Sequence, residues 1–387
     1  MISLKLKFSD EFINEYSLFC TSYIVERINI IKSKTSPAIS DKMETLFSEQ
    51  EIIKIISSEP EDLELILKNI YTEIPILAER YHQKLFFNSF SFFHNYEILN
   101  LRTKEGKDKI LEIKNAVVLE IDSFISSCPS ILLQEILADL STLTKPSDIK
   151  KQFKKLRSII NGTCTTDEDF INKFPEWVED ISNAFNYDYV MRTYGKQIVD
   201  LIDLEYCPYC ADEEIEPFDS YRPAIDHYFP QSKFPFLALS LYNFIPAGNR
   251  CNSNFKKAHT MENHFHPNMH EIPSQRLFEF LYPLDRNLSV DDVKISLKNI
   301  CNKLDANSKL FRIDEVYNKN GIKRKFVYLQ ERINWLEGMD KNDVISDPIK
   351  IRKYLAVDLN LPPKKLQHKK FLIDSINLLW NCNLNID

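Results

Sequence analysis

The sequence predicts a mostly α-helical α+β chain. A large helical region covers residues 1–200, a small site-dense module covers 201–275, and a mixed, mainly helical region covers 276–387. Three observations lead there. Apolar residues recur every three to four positions through the first half, the period of an amphipathic helix. Only 6 of 387 residues are glycine, too few for many strands joined by tight glycine turns. The texture then changes at Cys207: from there to about Pro273 lie three of the eight cysteines and five of the eight histidines.

The elements follow in order. After the candidate cap Ser9, the stripe Phe12, Tyr16, Phe19, Tyr23 and Ile30 marks a first helix. Ser58-Glu-Pro-Glu opens another, with Pro60 in its first turn and Leu63, Ile66, Leu67 and Ile70 on one face. Further helices are expected after Gly106, Pro129 and Pro146. The segment from Ser147 to Gly162 has apolar Ile149, Phe153, Leu156 and Ile160, with Lys150, Lys151, Lys154, Lys155 and Arg157 opposite. That basic face reads as a solvated helix surface or as a phosphate-tracking one. A last long helix is expected from Pro175 towards Leu204, broken near Gly195.

Beyond the module, β-like runs at Val293–Leu297, Leu310–Ile313 and Lys325–Leu329 alternate with helical pieces such as Lys364 to Trp380. Trp177, Trp335 and Trp380 read as core, as do Cys20, Cys128, Cys164, Cys301 and Cys382 among their apolar neighbours. Without repeats or a long low-complexity linker, the three regions should pack closely.

A hydrophobic content of 44% excludes a disordered chain. No stretch reaches the roughly 18–20 apolar residues of a membrane span. The opening Met-Ile-Ser-Leu-Lys-Leu-Lys-Phe meets charge at once, without a signal-peptide apolar region. The expectation is a soluble, cytoplasmic protein with reduced thiols. A net charge of −7 excludes a basic nucleic-acid wrapper, but not an enzyme acting through a local basic field.

The informative string begins Cys207-Pro-Tyr-Cys210 and continues Ile225-Asp226-His227-Tyr-Phe-Pro230-Gln-Ser232. Asn243 follows His227 by 16 residues, Asn252 follows by 9 more, and Lys256-Lys257 close the segment. Ile225-Asp-His suggests a short strand that presents a carboxylate and an imidazole at its end. Carboxylate and amide oxygens suit a hard cation such as Mg²⁺ or Mn²⁺. An adjacent His can deprotonate water, and nearby lysines can hold phosphate. These are the parts of a metal-assisted phosphodiester hydrolase.

Over these residues the chain resembles the HNH endonucleases, with their ββα-metal module. The resemblance implies His227 as general base and Asp226 as a ligand of the catalytic Mg²⁺ or Mn²⁺. It implies Asn243 as the brace of the loop bearing the His, and Asn252 as the second metal ligand. Lys256 or Lys257 would help hold the nucleic-acid backbone. The Asp-His-x-x-Pro-Gln-Ser string is also similar to the HNH domain of RNA-guided CRISPR nucleases. A closer likeness is to zinc-stapled HNH proteins of bacterial anti-phage systems, including Septu-type and retron-associated ones that work beside an ATPase. There a Cys-x-x-Cys precedes the Asp-His and a stretch like Ser232-Lys-Phe-Pro-Phe-Leu-Ala-Leu-Ser-Leu-Tyr-Asn-Phe-Ile-Pro-Ala follows. The likeness covers about 65 residues. It implies a DNA endonuclease effector of anti-phage defence whose helical region docks an ATPase or sensor subunit, or gates the active site until infection.

One departure stands out. The family closes its zinc site with a second Cys-x-x-Cys before the final Asn, yet here Cys251 is preceded at the third position by Gly248. Three thiolates, Cys207, Cys210 and Cys251, fall one short of the closed four-coordinate site of structural Zn²⁺. The sequence leaves three readings: His259 or His264 as fourth ligand, a water there, or a packed apolar knuckle without metal. The chemistry of the module also admits more than one reading. Cys-Pro-Tyr-Cys is a glutaredoxin-type redox motif elsewhere. The module could serve as a non-catalytic zinc-knuckle adaptor. The substrate could be RNA, because a single-metal site reads phosphate and not the 2′-hydroxyl. His264, His266 and His270 read as loop residues first, phosphate contacts or ligands second.

Overall fold

Where the apolar period runs, helices form and bury it. The structure, a computed structural model, describes residues 1–163, 168–219, 222–284, 288–336 and 338–384. The first helix, Asp10–Ser33, starts where Ser9 Oγ accepts the Phe12 amide at 3.2 Å. Its buried stripe is Phe12, Tyr16, Cys20, Ile24, Ile28 and Ile31. Ile30 is exposed instead, since the 3.6-residue period carries the face through 28 and 31. Pro60–Glu73 buries Leu63, Leu67 and Ile70. Helices Lys104–Ser127, Ile131–Thr142 and Pro146–Ile160 follow near their expected starts.

The basic face of Pro146–Ile160 is largely committed within the protein. Lys155 pairs with Glu135 and Arg157 with Glu97, each at 2.8 Å, while Lys150 donates to the carbonyl of Glu97 at 2.8 Å. Lys151 and Lys154 remain exposed on this face. The expected Pro175–Leu204 helix is two helices, Glu176–Ala184 and Tyr187–Ile202. The break falls at Phe185-Asn186, because Asn186 Oδ1 caps the second helix by accepting the Tyr189 amide at 2.9 Å. Gly195 lies inside the unbroken second helix. Its missing side chain admits Arg222, whose Nη1 sits 1.9 Å from where a Cβ would stand.

Among the described residues, four short strands form two antiparallel hairpins. In the module, β1 (Ala224–His227) pairs with β2 (Phe244–Ala247), with Asp226 opposite Ile245 and His227 opposite Phe244. In the C-terminal region, β3 (Phe278–Leu281) pairs with β4 (Lys294–Leu297). The β4 run was legible in the sequence, but the other two β-like runs are not strands. Leu310–Ile313 is the junction of helices Asn302–Leu310 and Ile313–Tyr317, turned by Arg312 at φ 50°. Lys325–Leu329 lies within the helix Asn320–Trp335, where helical burial of Ile322, Phe326, Leu329 and Ile333 overrides β propensity.

Trp177 is buried and Trp380 is half-buried against the core, but Trp335, at the end of its helix, is 89% exposed and is not core. Cys20 is buried, Cys128 and Cys382 are half-buried, and Cys301 is exposed. Cys164 lies outside the described residues.

The module is held from every side. Tyr16 Oη donates to Leu239 O at 3.0 Å and Ser240 Oγ to Ile55 O at 2.6 Å, tying it to the helical region. The chain start crosses it, with the Ile2 amide on Pro208 O and the Leu4 amide on Pro267 O, both at 2.8 Å. From the C-terminal side Tyr317 Oη reaches Cys210 O at 3.1 Å. One continuous apolar core runs through all three regions. Among the described residues no helix is long and apolar enough to cross a membrane.

Candidate active site and cysteine cluster

β1 ends on the two residues singled out for chemistry. Pro223 precedes the strand, and Ile225 pairs across the hairpin with Pro246. Asp226 and His227 are both buried, 4% and 8% exposed. Their surroundings differ. His227 Nε2 lies 3.0 Å from the carbonyl of Ala238, so that nitrogen carries the proton and Nδ1 keeps its lone pair. The rings of Tyr187 and Phe244 pack edge-on at 4.7 and 5.5 Å. Burial lowers the His227 pKa to about 4, against a weaker upward pull from the Ala238 carbonyl. The imidazole is therefore neutral at pH 7, the state a base requires.

Asn243 does what a brace does. It is fully buried, its Oδ1 accepts the Phe229 amide at 2.7 Å, and its Nδ2 donates to Phe229 O at 3.1 Å and Leu237 O at 2.9 Å. The Tyr228 amide also donates to Asn243 O at 2.8 Å. One side chain thus fixes both the loop leaving His227 and the segment that carries Ala238.

The helical turn after β2, Arg250–Lys256, is π-wound and brings Lys256 underneath β1. Lys256 is not at the surface. It is 1% exposed, and its Nζ donates to Asp226 Oδ1 at 2.9 Å and His227 O at 2.7 Å. Tyr209 Oη donates to the other oxygen, Asp226 Oδ2, at 2.5 Å. Burial raises the Asp226 pKa and lowers that of Lys256, and their mutual attraction opposes both shifts. As a direct phosphate contact Lys256 is out of place; its ammonium is spent on the carboxylate. Lys257 is exposed and turns out of the helix at φ 50°, leaving it free to face a ligand. Asn252 is half-buried on the same turn, and among the described residues no hydrogen bond joins its side chain to Asp226. The structure thus gathers Asp226, His227, Asn243 and Lys256, with Asn252 half-buried on the adjoining turn and Lys257 exposed.

Sequence reasoning missed Tyr209. It sits between two cysteines, where the redox and zinc readings both treat it as filler, and its importance depends on a contact 17 residues away. Tyr187 was missed too, because only tertiary packing brings it to His227.

The second cluster is sulfur. The Sγ atoms of Cys207, Cys210 and Cys251 are buried and all lie within 4.8 Å of one another, so the cluster could bind a metal such as zinc. Hydrogen bonds from Cys207 and Cys251 hold the Cys210 thiol well below its usual range, while burial pushes Cys207 up. The Asp212 amide at 3.5 Å and Arg250 Nη2 at 3.4 Å also point at Cys210 Sγ. Fully covered thiols on a turn, with no helix start behind them, do not offer the exposed thiolate that redox exchange needs.

His259 and His264 pack edge to face at 5.1 Å and their Nδ1 atoms bond to the Thr260 and Glu262 carbonyls; among the described residues the gathered ligand atoms are the three sulfurs alone. His266 is buried on Tyr228 and its Nδ1 accepts the Asn268 amide at 3.1 Å, while His270 Nδ1 accepts the His266 amide at 2.9 Å. These histidines organise a loop. Comparison with protein families, with curated proteins and with solved structures finds no match to this chain.

Proposed function

We propose that the protein is a metal-dependent endonuclease of the HNH kind, hydrolysing phosphodiester bonds in DNA. The observation that carries the reading is the coupling of His227 to Asn243. A neutral imidazole ends a hairpin strand with one nitrogen tied to a carbonyl, and a buried amide braces the loops on either side. That is a base held in one tautomer and one orientation, as general-base chemistry needs. His227 Nδ1 would take the proton of the attacking water. Asp226 and Asn252 would hold a single Mg²⁺ or Mn²⁺, whose charge would stabilise the phosphate and the leaving 3′-oxygen. Lys257, and not Lys256, would contact the backbone. Asp226 can serve only after Lys256 moves off one of its oxygens, so the arrangement described corresponds to a resting state.

The resemblance to anti-phage HNH proteins extends the proposal to an effector of bacterial defence, with the helical region docking an ATPase or sensor subunit. The test is relaxation of supercoiled plasmid by purified protein with Mg²⁺, Mn²⁺ or EDTA, alongside matched RNA. Metal-dependent cutting lost in Asn252→Ala supports the reading, and equal cutting of RNA would redirect it to that substrate.

A second reading has its own observation. Both carboxylate oxygens of Asp226 are occupied by Lys256 and Tyr209, which suits a module kept for binding. A non-catalytic zinc-knuckle adaptor predicts full partner binding when Asp226 and His227 are both replaced by Ala, and no cleavage in any metal.

A further inference from the structure

Gly248 stands where the HNH-like knuckle has its fourth cysteine, and the space beside it is not empty. A Cβ built on Gly248 would meet Glu213 Oε2 at 2.1 Å, Cδ at 2.2 Å and Cγ at 2.7 Å. The carboxylate of Glu213 fills the room a cysteine side chain would take. A side chain at 248 and Glu213 in this position exclude each other.

The backbone explains how Glu213 arrives there. Ala211, at φ 57°, turns the chain back after Cys210, and Tyr206 bridges to Glu214. The Cys207 amide donates to Glu213 O at 2.9 Å, so Glu213 returns beside the first cysteine. Its hydrogen bonds then copy those of a knuckle sulfur. In the first half, the amide two residues beyond Cys210, Asp212 N, points at Cys210 Sγ at 3.5 Å. In the second half, the amide two residues beyond Gly248, Arg250 N, donates to Glu213 Oε1 at 3.3 Å. The other oxygen, Oε2, is buried without a hydrogen-bond partner. A buried carboxylate oxygen with no donor is costly unless a cation satisfies it.

We propose that Glu213 is the fourth ligand of a zinc site completed by Cys207, Cys210 and Cys251. The proposal rests on the cysteine cluster being a zinc site, not on the nuclease reading. The mutually close set of ligand atoms is the three sulfurs. Glu213, held beside Gly248 at the edge of that set, would join it by turning its carboxylate toward the sulfurs. Carboxylate oxygen is an accepted zinc donor at about 2.0–2.2 Å. The excess negative charge of three thiolates and a carboxylate is met by Arg250, whose Nη2 lies on Cys210 Sγ and, at 2.7 Å, on Asp212 Oδ2.

The experiment uses the full chain. Zinc content is measured first, with Cys210→Ser as control. Zinc K-edge absorption fine structure and the visible spectrum of the Co²⁺-substituted protein then report the ligand set. The wild type should hold one zinc with three sulfurs and one light atom, at about 2.3 and 2.0–2.2 Å. Glu213→Gln should keep the fold, bind zinc roughly 10–100-fold more weakly, since losing even an outer-shell partner costs that much, and shift the Co²⁺ bands. The double variant Gly248→Cys/Glu213→Ala should restore tight binding with four sulfurs. Unchanged affinity and Co²⁺ spectrum in Glu213→Gln would overturn the proposal while leaving the zinc site standing. Absence of zinc from the wild type, with no uptake on titration, would overturn the site itself.

Discussion

Lys256→Met tests the buried pair on which the candidate active site is built. The ammonium lies 2.9 Å from Asp226 Oδ1 and 2.7 Å from His227 O, and the two side chains are 0% and 4% exposed. At an effective dielectric of about 20, charges roughly 4 Å apart attract by about 4 kcal/mol. Methionine keeps most of the stem volume, so the loss is electrostatic and not a cavity. Truncating one partner of such a pair strands the other, which costs about 3–5 kcal/mol. Asp226 has an escape by protonation, because burial already raises its pKa. A raised folded-state pKa means stability that is full below the unfolded value of about 3.9 and lost as pH rises through the folded value. The deficit of the variant should therefore be larger at pH 8 than at pH 5. Urea unfolding of wild type, Lys256→Met, Asp226→Asn and the double variant would measure it, with a coupling of about 2 kcal/mol or more between the positions. A loss under about 1 kcal/mol that does not change with pH would refute the reasoning.

Three further outcomes are expected. Asn243→Ala removes three side-chain hydrogen bonds and orphans the buried Phe229 amide, and it should lower stability by about 2–4 kcal/mol in thermal or urea melts. Burial lowers His227 to about 4 and His266 to about 3, so the stability each contributes is present above about 6.5 and lost as pH falls through those values. The loss on acidification should be about 3 kcal/mol for His227 and about 5 kcal/mol for His266, and His266→Gln should remove its share. Gly106→Ala should destabilise despite alanine's better helix propensity, because a Cβ would meet the Asn100 carbonyl oxygen at 2.1 Å; a stabilised variant in a thermal melt would contradict that packing.

Much of the helical region was legible because its signals are local. Ser9 caps its helix as its residue type suggests, and Leu63, Leu67 and Ile70 are buried as their spacing predicts. The failures are tertiary. Lys325–Leu329 has β-forming residues but sits on a helix whose other turns are buried in the core. Trp335 is apolar in type, yet the helix end carries it into solvent. At the candidate site, the order Asp226, His227, Asn243 was readable from the string, and the hairpin gathers them. The fate of Lys256 was not, since a π-wound turn decides which of two adjacent lysines points inward. Gly248 signalled a missing cysteine, but only the fold reveals that Glu213 occupies the gap.

The most direct test of the central claim is chemical rescue of plasmid cleavage in His227→Gly. The variant removes the imidazole while Asn243 and Ala238 keep its socket. With Mn²⁺ present, the account predicts cutting by the wild type, loss of cutting in His227→Gly, and partial return when free imidazole is added at a pH where it is unprotonated. Cutting by His227→Gly at the wild-type rate, without imidazole, would contradict the assignment of His227 as the base.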